Sequence, residues 1–131
     1  MTPRTVLLFT CDSCFDELIA QVFSEPAIIL SARTVREALQ IVCQRGRELN
    51  LALMDFDGAC RGMTLLSAVH ICYEQLPIVV TTSEDLEHAC FLAYANGART
   101  CLKKPLSAAR FAQAIADVTG PSPQSVAAQL L

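Results

Sequence analysis

The chain has 131 residues, of which 53% are hydrophobic and 18% charged, and a formal net charge of −3. That length suits one domain with a substantial core, and the composition excludes a disordered or fibrous chain. The negative charge argues against direct nucleic-acid binding, and no apolar run approaches the roughly 20 residues that a membrane span needs.

The N-terminal MTPRTVLLF carries one Arg and a very short apolar stretch, unlike a cleaved signal peptide. Val6–Phe9 reads as a first strand. Phe15, Leu18, Ile19, Val22 and Phe23 then fall on one helical stripe. Ala27–Leu30 predicts a second strand, and Thr34-Val35-Arg36-Glu37 is a capping box. It opens a helix with Val35, Ala38, Leu39 and Val42 inward and Gly46 near its end. Leu51–Met54 is a third strand, and Leu65, Leu66, Val69 and Cys72 form the next stripe. Ile78–Val80 follows as a fourth strand, then a helix with Leu86, Cys90 and Ala93 inward, stopped by Asn96-Gly97. A weaker strand, Arg99–Leu102, leads to Ser107, which can cap a last helix carrying Phe111, Ile115 and Val118.

Short, continuous apolar runs suit parallel strands buried on both faces. Five strand–helix alternations predict an α/β fold, an open five-stranded parallel sheet with helices on both faces. The domain is expected over residues 1–119. The Gly- and Pro-containing stretch 120–131 reads as a linker, or as the start of an output region. Seven cysteines, an odd number spread along the chain, read as reduced small hydrophobes in a cytoplasmic protein, with Cys43, Cys72 and Cys90 in the core.

In an open α/β sheet, ligands bind outside the carboxyl ends of the strands. Here the first strand ends in Thr10-Cys11-Asp12, the third in Asp55, the fourth in Thr81-Thr82 and the fifth in Lys103-Lys104-Pro105. Carboxylates, a hydroxyl and an ammonium can therefore meet in one crevice. Phosphoryl transfer to a carboxylate suits that set. Asp55 would attack phosphorus, while Lys104 and the Thr82 hydroxyl neutralise or bind phosphoryl oxygens, helped by a divalent ion between carboxylates and phosphate.

The segments VLLFTCD, LALMD, PIVVTTS and NGARTCLKKPL together resemble the receiver domain of bacterial two-component response regulators, over residues 5 to about 119. The resemblance implies a flavodoxin-like strand order 2-1-3-4-5, with Asp55 as phosphoacceptor, Thr82 as switch hydroxyl and Lys104 as the lysine before an often cis proline. It implies Mg²⁺ held by Asp12, Asp55 and the backbone carbonyl of Asp57. Implied partners are a histidine kinase or phosphotransfer protein as donor, an output domain and a second copy of the chain. By the same resemblance the protein is a regulator rather than an enzyme.

Three features depart from the family. Thr10 and Cys11 occupy the two places of the usual acidic, metal-binding pair. Two unit charges at ~4 Å interact by about 4 kcal/mol at an effective dielectric near 20, so losing one such carboxylate could slow transfer by roughly three orders of magnitude. Cys101 stands where an aromatic switch residue is usual, and Asp57 and Glu84 add negative charge beside the reaction centre. Two further readings follow. One is an atypical receiver that binds partners without phosphorylation. The other is a thiol redox sensor using Cys11 and Cys14, whose C-x-x-C spacing sits between a strand and a helix. A zinc site from Cys11, Cys14 and His70 or His88 lacks a second close ligand pair, and His70 reads as a surface or satisfied residue.

Overall fold

The computed structural model describes residues 4–11, 13–23, 26–56, 62–83 and 86–119, the side chains of 13, 14, 86 and 87 excepted. Strands β1 (Arg4–Phe9), β2 (Ala27–Ala32), β3 (Leu51–Asp55), β4 (Ile78–Thr82) and β5 (Thr100–Lys103) alternate with helices. These are α1 (Ser13–Val22), α2 (Val35–Arg45), α3 (Gly62–Cys72), α4 (Leu86–Ala95) and α5 (Ala108–Thr119), with a short 3₁₀ turn at Gly46–Glu48 after α2. The sheet is parallel throughout, as the strand–helix alternation predicts, in the order β2-β1-β3-β4-β5 that the resemblance implies. Segment 120–131, expected to be a linker, lies outside the described residues.

Side chains alternate across each strand, so each central strand feeds two cores. Leu7, Phe9, Ala52, Met54, Ile78 and Val80 pack with Ala38, Val42, Leu65, Leu66, Val69 and Ala93, under α2, α3 and α4. Val6, Leu8, Leu51, Leu53 and Val79 pack with Phe15, Ile19, Phe111, Ala114 and Ile115, under α1 and α5. Phe15 and Phe111 meet edge to face, 5.5 Å between ring centroids, and tie those two helices together.

Local signals fix the element ends. The Glu37 amide donates to Thr34 Oγ1 at 3.1 Å, and the Arg110 amide donates to Ser107 Oγ at 3.1 Å. The Glu37 carboxylate accepts from the Arg33 amide rather than completing a reciprocal box. At the end of α4 the Ala98 amide donates to Ala93 O and the Gly97 amide to Tyr94 O, the paired bonds of a Schellman cap. Gly97 has φ +112, and a Cβ there would fall 2.2 Å from His70 Cγ. This turn sets where β5 begins.

Several expectations change. Edge strand β2 is not buried on both faces, and Ile28 is 40% exposed. Cys43, Cys72 and Leu39 are exposed and Cys90 is half-buried, because the buried stripe of each helix is narrower than its apolar stripe. No helix among the described residues is long and apolar enough to cross a membrane.

Phe111→Ala empties a fully buried site and removes the ring pair. It should cost about 3–5 kcal/mol, read as a lower urea midpoint at an unchanged m-value.

Candidate functional site

The carboxyl ends of β1, β3, β4 and β5 converge, because the ladder holds them in a fixed parallel register. Phe9 pairs with Met54 and Asp55 with Thr81, which puts Thr10, Asp55 and Thr81 side by side. Alternation turns all three side chains toward α1 and α5, with Leu8, Leu53 and Val79 below them. The Lys104 amide donates to Thr82 O at 2.9 Å, which anchors the residue just after β5. The next peptide bond, Lys104-Pro105, is cis.

Asp55 is 1% exposed. Its Oδ2 lies 2.9 Å from Lys104 Nζ and accepts from Thr10 Oγ1, also at 2.9 Å. Its Oδ1 has a longer contact, 3.4 Å, with Thr81 Oγ1. A carboxylate withdrawn from water needs such donors, because an unpaired buried charge is strongly unfavourable. The Lys104 ammonium also stands 5.7 Å from the centroid of Phe15, within cation–π range. It borders a cavity of about 530 Å³ lined by Phe15, Leu18, Ser83, Pro105 and Leu106, among others.

Of the residues singled out in the sequence, the structure brings Asp55 and Lys104 into direct contact. Thr82 is fully buried next door, and alternation turns it to the other side of the sheet, with Ile78 and Val80. Thr81 and Thr10 are the hydroxyls placed on the carboxylate. The parity of their positions with Val79 and Leu8 is the sequence signal that could have found them. Lys103 is exposed.

Asp12, Asp57 and Glu84 lie outside the described residues. Among the described residues no three His, Cys, Asp or Glu side chains cluster as a metal site. The described donors are one carboxylate already paired with an ammonium, and two hydroxyls. Alone, they do not fit a divalent ion.

Cys11 is disulfide-bonded, and the side chain of its partner lies outside the described residues. Its sulfur lies 3.4 Å from the Arg33 carbonyl, a plain contact, since a disulfide sulfur has no proton to donate. Arg33 reaches back over the end of β1, donating to Thr10 O at 3.0 Å and pairing with Asp16. His70, expected to be satisfied or exposed, instead has a buried Nδ1 without a hydrogen-bond partner, because it packs under the Gly97 turn.

Solved receiver-domain structures share this fold. The chain superposes on a response regulator receiver domain from Clostridium thermocellum at 19% identity and TM-score 0.76, covering 88% of this chain and 94% of that one. For a signal receiver domain of an HD domain-containing protein from Pseudomonas fluorescens, the identity is 21% and the TM-score 0.79, over 91% of this chain and 88% of that one. NtrX from Brucella abortus matches at 20% identity and TM-score 0.78, over 90% of this chain but 27% of its own length. Neither a protein-family model nor a curated protein matches the sequence. The fold is therefore the receiver fold, five parallel strands ordered 2-1-3-4-5.

Lys104→Met strands Asp55 in the interior and should cost about 3–5 kcal/mol. Adding Asp55→Asn removes the uncompensated charge and should recover much of that loss. A double-mutant cycle by urea unfolding measures both effects.

Proposed function

We propose that the chain is a receiver-type signalling module in which Asp55 accepts a phosphoryl group, with a histidine kinase or phosphotransfer protein as donor. The observation that supports this most is the 2.9 Å contact between Lys104 Nζ and Asp55 Oδ2 at the carboxyl edge of a receiver-fold sheet. Asp55 is the carboxylate assigned to attack, with Lys104 and Thr10 on Oδ2 and Thr81 on Oδ1. In that step a bond forms between an Asp55 carboxylate oxygen and phosphorus, the bond from phosphorus to the donor atom breaks, and the electron pair leaves with the donor. Lys104 is the cation beside the charge that develops on the phosphoryl oxygens.

Magnesium enters this proposal only through Asp12 and the Asp57 carbonyl, added to Asp55. Thr82 is assigned the switch role. Its hydroxyl turns across the end of β4 toward the new phosphoryl oxygens, which are strong acceptors. The consequence passes to an output domain or a second copy of the chain, so the protein regulates rather than turns over a substrate.

A second reading rests on a different observation. Asp55 is almost fully enclosed and already holds an ammonium and two hydroxyls. Such a carboxylate can serve as a structural keystone in a module that binds its partner without phosphorylation.

Acetyl phosphate or beryllofluoride with Mg²⁺ separates the two. The first reading expects an intact-mass adduct on the wild-type chain, none on Asp55→Asn, and formation at least ten-fold slower for Lys104→Ala. A folded wild-type chain that takes up nothing at saturating Mg²⁺ overturns it and leaves the second.

Thr10→Asp places a second carboxylate against Asp55, at a repulsion of about 4 kcal/mol for ~4 Å and an effective dielectric near 20. The variant should melt well below wild type without Mg²⁺ and regain most of the difference when Mg²⁺ is added. Calorimetry with and without the ion measures this.

A further inference from the structure

The described residues hold a second pair of reactive groups, on the side of the sheet opposite Asp55. Cys101 lies in the edge strand β5 and Cys90 on α4, and both are free thiols. Cys90 Sγ is 3.7 Å from the Cys101 carbonyl oxygen, which accepts from the Cys90 thiol. Cys101 is buried and Cys90 half-buried. The Cys101 amide donates to Tyr94 Oη at 3.3 Å, so the helix grips the strand one turn beyond Cys90. Packing rather than a loop holds the two residues together.

Cys90 Sγ sits against the Cys101 backbone, so the two side chains are neighbours and an S–S bond of ~2.05 Å needs only that they turn toward each other. The two thiols differ in a useful way. Burial, and then the neighbouring Cys90 thiol, push the Cys101 thiol up to about 12, so it stays protonated at neutral pH. Cys90 is the thiol that solvent can reach. An attacking sulfur and a resolving sulfur are therefore already distinguished.

We propose that Cys90 and Cys101 form a peroxide-sensitive dithiol whose oxidation ties α4 to the edge strand β5. The oxidant is hydrogen peroxide or an organic hydroperoxide. The Cys90 sulfur attacks the terminal peroxide oxygen, an S–O bond forms, the O–O bond breaks, and water or an alcohol leaves with the thiol proton. The Cys101 sulfur then attacks the Cys90 sulfenic sulfur. The S–S bond forms, the S–O bond breaks, and hydroxide leaves as water with the Cys101 proton. Two thiols lose two electrons and the peroxide gains them. The site is separate from Asp55 and operates whether or not Asp55 takes up phosphorus.

The test uses the full chain, reduced with dithiothreitol, freed of reductant and treated with a small excess of hydrogen peroxide. Alkylation with N-ethylmaleimide, digestion and mass spectrometry then follow. A peptide linking Cys90 to Cys101 is expected, reversible by dithiothreitol, with a melting temperature several degrees above the reduced form. Cys90→Ser should abolish the link and leave Cys101 unoxidised, and Cys101→Ala should leave a dimedone-reactive sulfenic acid on Cys90. The same link should form in Cys11→Ser, which excludes exchange with the disulfide at the end of β1. Exposed Cys43 and Cys72 report thiol reactivity without a neighbour. If Cys90 goes to sulfinic acid while Cys101 stays alkylatable after unfolding, or if both thiols stay unlinked when Cys43 and Cys72 are oxidised, the proposal is overturned.

Discussion

A carboxylate taken out of water has to find in the protein the donors it gave up, and Asp55 finds them on three other strands. Thr10 follows β1, Thr81 belongs to β4, and Lys104 follows β5. No two of these are close in sequence, so the carboxylate is satisfied only when the sheet is assembled in one order and one register. A slip of one residue would turn Thr81 to the other side and bring Thr82, or an apolar neighbour, in its place. The ion pair is costly to desolvate and adds little net stability by itself. Its larger effect is to penalise every arrangement that leaves the charge alone.

The two cores make that arrangement rigid. Beneath the carboxylate lie Leu8, Leu53 and Val79, held by the Phe15–Phe111 pair. The same Phe15 ring lies under the Lys104 ammonium, so the packing of α1 against α5 and the position of the cation are one constraint. On the other side, the Gly97 cap ends α4 and starts β5 close by, so the length of that turn decides where Lys104 can reach. His70 packs there with an unsatisfied ring nitrogen, a small cost located where backbone geometry is most demanding.

Much of this was legible in the sequence, for a physical reason. Runs such as Leu51–Met54 and stripes such as Leu65, Leu66 and Val69 record which residues must leave water, and their alternation leaves few topologies. Thr34, Ser107 and Asn96-Gly97 announce element ends through local hydrogen bonding, which a sequence carries directly. Asp55 and Lys104 stood out because charges at the ends of buried strands need a reason. What stayed hidden was parity and distance. Choosing between Thr81 and Thr82 needs the strand register. Cys43 and Cys72 sit beside inward residues, and a stripe one residue narrower leaves them in solvent. The Cys90–Cys101 contact joins two elements whose packing no local pattern encodes.

The exchange of an acidic pair for Thr10 and Cys11 changes the balance of forces at the site. With carboxylates at those places, Asp55 would face like charge, and a cation would be needed to hold the cluster together. With Thr10, the neighbour donates a hydrogen bond to Asp55 instead of repelling it. The Lys104 and Thr10 contacts that satisfy Oδ2 must loosen before it can engage anything else. Phosphoryl uptake as proposed for Asp55 would trade the Thr10 and Lys104 contacts against new ones.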